Sequence, residues 1–82
     1  MPSEELIRAA AHEGVFEMIH ARVEADEPLI SSGRIDSLSI LKLITHLEKK
    51  LGVRLPAANL QPDDFENVDI MVETVQRVAV PK

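Results

Sequence analysis

Cysteine, tryptophan and tyrosine are absent from this 82-residue sequence, and only two phenylalanines occur. Without cysteine there is no disulfide framework and no thiolate metal site, a composition that fits a reducing, cytoplasmic setting. Long apolar runs are missing too: nothing approaches the ~20 residues a membrane-spanning helix needs. The N-terminus carries no basic segment followed by an apolar stretch, so no signal peptide is expected. Positive charge is scarce, with nine Lys and Arg against fourteen Asp and Glu and a net charge of −5. That balance argues against a nucleic-acid partner, since phosphate backbones call for clustered cations. A basic protein surface suits it better.

What is present is ordinary for a small folded chain. Hydrophobic residues make up 45% of the sequence, enough for a core rather than for disorder. Residues 1–82 are read as one domain without internal repeats, soluble and monomeric. Ser3 can cap a first helix, with Glu4 and Glu5 in its first turn. Leu6, Ile7, Ala10, Ala11, Met18 and Ile19 then recur at helical spacing. This helix either runs to about Arg22 or breaks near Gly14, which costs about 1 kcal/mol relative to alanine. Glu24 to Ile35 reads as a loop, carrying Pro28, Ser31, Ser32 and Gly33.

The strongest pattern follows. At 100° per residue, Ile40, Leu43, Ile44, Leu47 and Leu51 fall within an arc of roughly 100°, the buried face of a second helix. Gly52 is placed to end it, and Val53 to Pro56 is a short extended connection. Pro62-Asp63-Asp64-Phe65 forms a single helical turn. Asn67 can cap a last helix through Val68, Met71, Val72, Val75 and Val78. Its valines keep a terminal strand open as an alternative. The fold class is all-α: a small four-helix bundle of three main helices and one short one.

Asp36 and Ser37 stand at the mouth of the second helix, and both favour N-caps. A cap is one account of the serine. The other is an attachment point: unpaired amides and the helix dipole favour an anion there, and a phosphodiester on Ser37 would lie beside them. On the outward arc stand Leu38 and Leu41 with Lys42, Thr45 and Lys49. The two leucines form a docking patch, or else Leu41 packs beneath the preceding loop and Leu38 is merely exposed.

Gly33-Arg34-Ile35-Asp36-Ser37-Leu38, followed by a helix ending Leu47-Glu48-Lys49-Lys50-Leu51-Gly52, resembles the acyl carrier protein family. The resemblance covers nearly the whole chain, and it rests on the placement of Asp-Ser-Leu at the opening of a mid-chain amphipathic helix. It implies a carrier rather than an enzyme. Ser37 would accept 4′-phosphopantetheine from coenzyme A through a magnesium-dependent phosphopantetheinyl transferase. Asp36 would assist that modification, and Leu38 would contact partner enzymes. The arm's thiol would hold an acyl or aminoacyl group, loaded by an activating enzyme and passed to a downstream transferase or synthase. The alternative is a helical interaction module with the same fold and an unmodified Ser37.

In one respect the sequence departs from the fatty-acid branch, whose members usually carry acids along this helix. Between Ser37 and Leu51 stand three lysines against one glutamate, a formal +2. Charge complementarity governs partner choice, so a specialised pathway is expected rather than housekeeping fatty-acid synthesis. The acidic remainder of the chain could instead supply the usual charge. The core, poor in rigid rings, could open to shelter an acyl chain, or could simply pack its aliphatics.

Other chemistries fit poorly. Ser37 and His46 are nine residues apart, about 13.5 Å of rise and half a turn, too far to hydrogen-bond along one helix. His12, His20 and His46 show no i, i+4 pairing and read as surface residues, so no metal is expected. Asp63, Asp64, Glu66 and Asp69 lack the spacing of a calcium loop and read as helix-start charge.

Overall fold

In the computed structural model, which describes residues 2–82, the capping residues begin each helix where local chemistry dictates. Ser3 Oγ accepts the Leu6 amide at 3.2 Å and opens helix α1, Glu4–Ile19. The helix is continuous through Gly14 and stops at Ile19, short of Arg22. His20 adopts a left-handed conformation, φ 54°, and sends its N–H to Phe16 O, closing the last turn. Gly14 is a packing residue here. A Cβ at this position would lie 2.6 Å from Leu43 Cδ1, so its absence lets α1 cross close to the next helix. Ile7, Ala10, Ala11 and Val15 face the core, whereas Leu6, expected on the apolar face, is 61% exposed.

Residues 20–36 form a long connection, irregular but anchored. Leu29 and Ile35 are buried in the core. Leu29 N–H donates to Glu66 O, and the Glu66 carboxylate accepts the amides of Ile30 and Ser31 at 2.8 and 2.9 Å. The Asp69 amide reaches back to Ala25 O, so both halves of the loop are tied to the far end of the chain.

Helix α2, Ser37–Leu51, buries Ile40, Leu43, Ile44 and Leu47, as its periodicity predicts. Leu51, at the end, is half-buried. Gly52 ends the helix at φ 65°, a left-handed conformation that suits glycine. The extended connection beyond it becomes strand β1, Val53–Arg54, which pairs antiparallel with β2, Val80–Pro81. The anticipated single turn at Pro62–Phe65 is a 3-10 turn, and a second one spans Ala57–Asn59. Asn67 Oδ1 accepts the Ile70 amide and opens α3, Val68–Val78. The helix and the terminal strand, weighed against each other in the sequence, both form in succession.

The elements converge on one aliphatic core, with Phe65 as its buried ring. α1 packs against both α2 and α3. Thr74 Oγ1, fully buried, donates to Asp64 O at 3.1 Å and fastens α3 to the Pro62 turn. The Arg8 guanidinium pairs with Asp69 at 2.7 Å between α1 and α3. The arrangement is an acyl-carrier-type helical bundle. No helix among the described residues is long and apolar enough to cross a membrane.

Candidate functional site

The mouth of α2 shows which of the two polar residues caps the helix. Asp36 is the N-cap: its backbone is extended, its Oδ1 accepts the Ser39 amide at 2.9 Å, and its carbonyl accepts Ile40 N–H. Ser37 is therefore the first helical residue, outside the capping bond. Asp36, Ser37 and Leu38 are all exposed. The Ser39 backbone amide, followed by the Ser39 hydroxyl, holds the Asp36 carboxylate below the usual Asp range. An ionised carboxylate and a free hydroxyl thus stand side by side in solvent, where a bulky donor can approach.

On the Ser37 side of α2 lies an open groove of about 150 Å³. Ile40, Ile44 and Phe65 form its floor, and Leu60 and Pro62 its far wall. The residues fit a covalent phosphate-linked arm: the hydroxyl is accessible, it opens at a helix N-terminus, and apolar surface lies alongside for the organic part.

The outward arc of α2 is as the periodicity places it. Leu38 is 73% and Leu41 57% exposed, so Leu41 does not pack beneath the loop. Lys42, Thr45 and Lys49 are exposed beside them, with the Thr45 hydroxyl donating back to Leu41 O. Glu48, the one acid of this helix, is withdrawn: it is half-buried, and Oε2 accepts the Leu55 amide at 2.8 Å.

His46 corrects the reading of the histidines as surface residues. Its side chain is only 14% exposed, wedged between α1 and α2, with Nε2 3.2 Å from Glu13 and Nδ1 3.0 Å from Glu17. Nε2 is buried without a hydrogen bond. These three residues form a group of metal-ligating types that in-helix spacing could not reveal, because two helices contribute to it. Lys50 Nζ occupies Glu13 at 3.0 Å, which makes the group an electrostatic seam between the helices.

The acidic run near the Pro62 turn is likewise employed in fastening. Asp64 pairs with Arg77 and accepts the Gln61 amide, Glu66 holds the loop amides, and Asp69 holds Arg8. The Ser31 side chain, followed by the amides of Ser31 and Ile30, draws the Glu66 carboxyl below its ordinary range. From sequence Glu66 reads only as helix-start charge and Phe65 only as part of a turn, and Leu60 is not singled out, for their roles depend on contacts distant along the chain.

Residues 7–75 match the profile of a family described as "Phosphopantetheine attachment site". Curated relatives include the D-alanyl carrier protein of Streptococcus sanguinis (strain SK36). It is 34% identical over 50 residues, covering 61% of this chain and 63% of that protein. The D-alanyl carrier protein of Streptococcus pyogenes serotype M1 is 32% identical over 53 residues, 65% of this chain and 67% of that one. The chain thus spans less than two thirds of the length of the first of these relatives.

Proposed function

Since the chain belongs to the phosphopantetheine attachment-site family, we propose that Ser37 bears a covalent 4′-phosphopantetheine and that the protein carries aminoacyl or acyl groups on it. The bound arm supplies a thiol that forms thioesters, and this chain supplies position and recognition. The observation that carries the reading is the division of labour at the α2 mouth: Asp36 caps, and Ser37 is left free and exposed. Ser37 contributes the hydroxyl that forms the phosphodiester, and the first-turn amides of α2 favour the incoming negative charge. Asp36, kept ionised, is placed to orient the serine and a metal-bound pyrophosphate during modification. The chain performs no catalysis itself.

The partners are a phosphopantetheinyl transferase, an activating enzyme that loads the thiol, and a downstream acceptor enzyme. Leu38, Leu41, Lys42, Thr45 and Lys49 form the surface they read. D-alanyl groups are the first cargo to test, given the names of the relatives.

Intact-mass measurement tests the reading. The full chain, incubated with coenzyme A, magnesium and a broad-specificity transferase, gains one phosphopantetheinyl group, and Ser37→Ala gains none. An unchanged wild-type mass across several transferases would leave the interaction-module reading in its place.

A further inference from the structure

We propose that the exposed face of α2 docks enzymes presenting an apolar socket rimmed by carboxylates, and that it rejects enzymes presenting cations there. The inference rests on the Ser37 reading and adds the chemistry of the partner. Any enzyme acting on the Ser37 hydroxyl must cover the first turns of α2. Lys42 lies about 7.5 Å along the axis from Ser37 and Lys49 about 18 Å, at 1.5 Å per residue. At 100° per residue both fall within roughly 40° of Leu38 around the helix. Ser37 itself lies about 100° from Leu38 and about 40° from Leu41, so an enzyme that seats on both leucines while reaching the serine also covers Lys42, one turn beyond Leu38.

The two lysines of this face are not ion-paired. Among the described residues, Arg8, Arg34, Lys50 and Arg77 each have a carboxylate partner, whereas Lys42 and Lys49 have none within 4.0 Å. Glu48, the one acid of α2, accepts the Leu55 amide through Oε2 and forms no ion pair with either lysine among the described residues. Lys50 is turned the other way, onto Glu13 of α1. Asp36 stands at the rim, with Oδ1 occupied by the Ser39 amide. The face thus presents two leucines and two free ammonium groups on a chain whose net charge is −5. Cations on a facing enzyme would be repelled by the two unpaired ammonium groups, with Asp36 the exposed acid nearest Ser37, while facing carboxylates would steer encounter.

The test uses the full apo chain, coenzyme A and magnesium with two phosphopantetheinyl transferases, one with a carboxylate-lined active-site mouth and one with a cation-lined mouth. The rate of mass gain is followed from low to high ionic strength. Lys42→Glu/Lys49→Glu should slow the carboxylate-lined transferase about tenfold or more at low salt and speed the cation-lined one, both differences fading as salt screens them. Lys42→Arg/Lys49→Arg, which keeps both charges, should keep the wild-type order of the two transferases and its salt dependence. If charge reversal leaves both rates unchanged, or the wild type already favours the cation-lined transferase, the docking rule is overturned while the Ser37 reading stands. If neither transferase modifies the wild type, the Ser37 reading fails and the docking rule falls with it.

Discussion

Replacing Gly14 by alanine sets helix propensity against packing, and the structure says which wins. In isolation the substitution favours α1 by about 1 kcal/mol, because glycine gives up more backbone freedom on folding. Here the new Cβ would lie 2.6 Å from Leu43 Cδ1 and 3.0 Å from His46 Cδ2. Carbon atoms in contact prefer about 3.5–4.0 Å, so the Leu43 methyl must retreat by about 1 Å. Leu43 is fully buried, at 0% exposure, so its methyl must shift within the core rather than into solvent. Overpacking of this kind typically costs about 1–3 kcal/mol. Taking the middle of that range, the net effect is a destabilisation of about 1 kcal/mol, or roughly 4–8 °C in Tm for a domain of this size. Thermal and urea unfolding followed by circular dichroism measure it. A double-mutant cycle isolates the cause: with Leu43→Ala already in place only the 3.0 Å contact with His46 Cδ2 remains, and alanine at position 14 should cost clearly less than in the wild-type background. A raised Tm in the wild-type background, or the same loss in both backgrounds, would refute the close crossing of α1 and α2.

Two further outcomes follow from the α2 mouth and the loop. Asp36→Ala lowers Tm because Ser39 loses its capping acceptor, whereas Ser37→Ala leaves Tm unchanged; a matching drop in both would mean that Ser37 shares the cap. Asp36 and Glu66 have folded pKa values below their ordinary ones, so their contribution is complete above the unfolded-state values and disappears as pH falls through the folded ones. The urea midpoint should therefore hold near neutrality and decline below about pH 4, and Glu66→Gln should flatten that decline; an equally steep fall in the variant would remove Glu66 from the cause.

Much of the fold was legible because its signals are local. Ser3, Asp36 and Asn67 cap within three residues of themselves, Gly52 ends α2 by its own conformational freedom, and the buried face of α2 follows from spacing alone. The misses have long-range causes. α1 stops at Ile19 because His20 turns left-handed, which its residue type does not announce. Gly14 looked like a weakness in a helix and proved to be a contact with a residue nearly thirty positions on. Val53–Arg54 finds its strand partner only at Val80–Pro81, and His46 meets the glutamates of another helix. Ser37 itself stood out from sequence. What sequence left open was which of two adjacent polar residues caps the helix, and that turned on a single hydrogen bond.

That allocation has a consequence for the life of the protein. A hydroxyl with no structural duty can be esterified, loaded, emptied and stripped without loosening the scaffold beneath it. Unfolding frequency governs how often quality-control proteases catch a chain, so vacant and laden copies would persist equally long. A cell could then keep a reserve of idle copies at hand, with turnover of the cargo independent of turnover of the polypeptide.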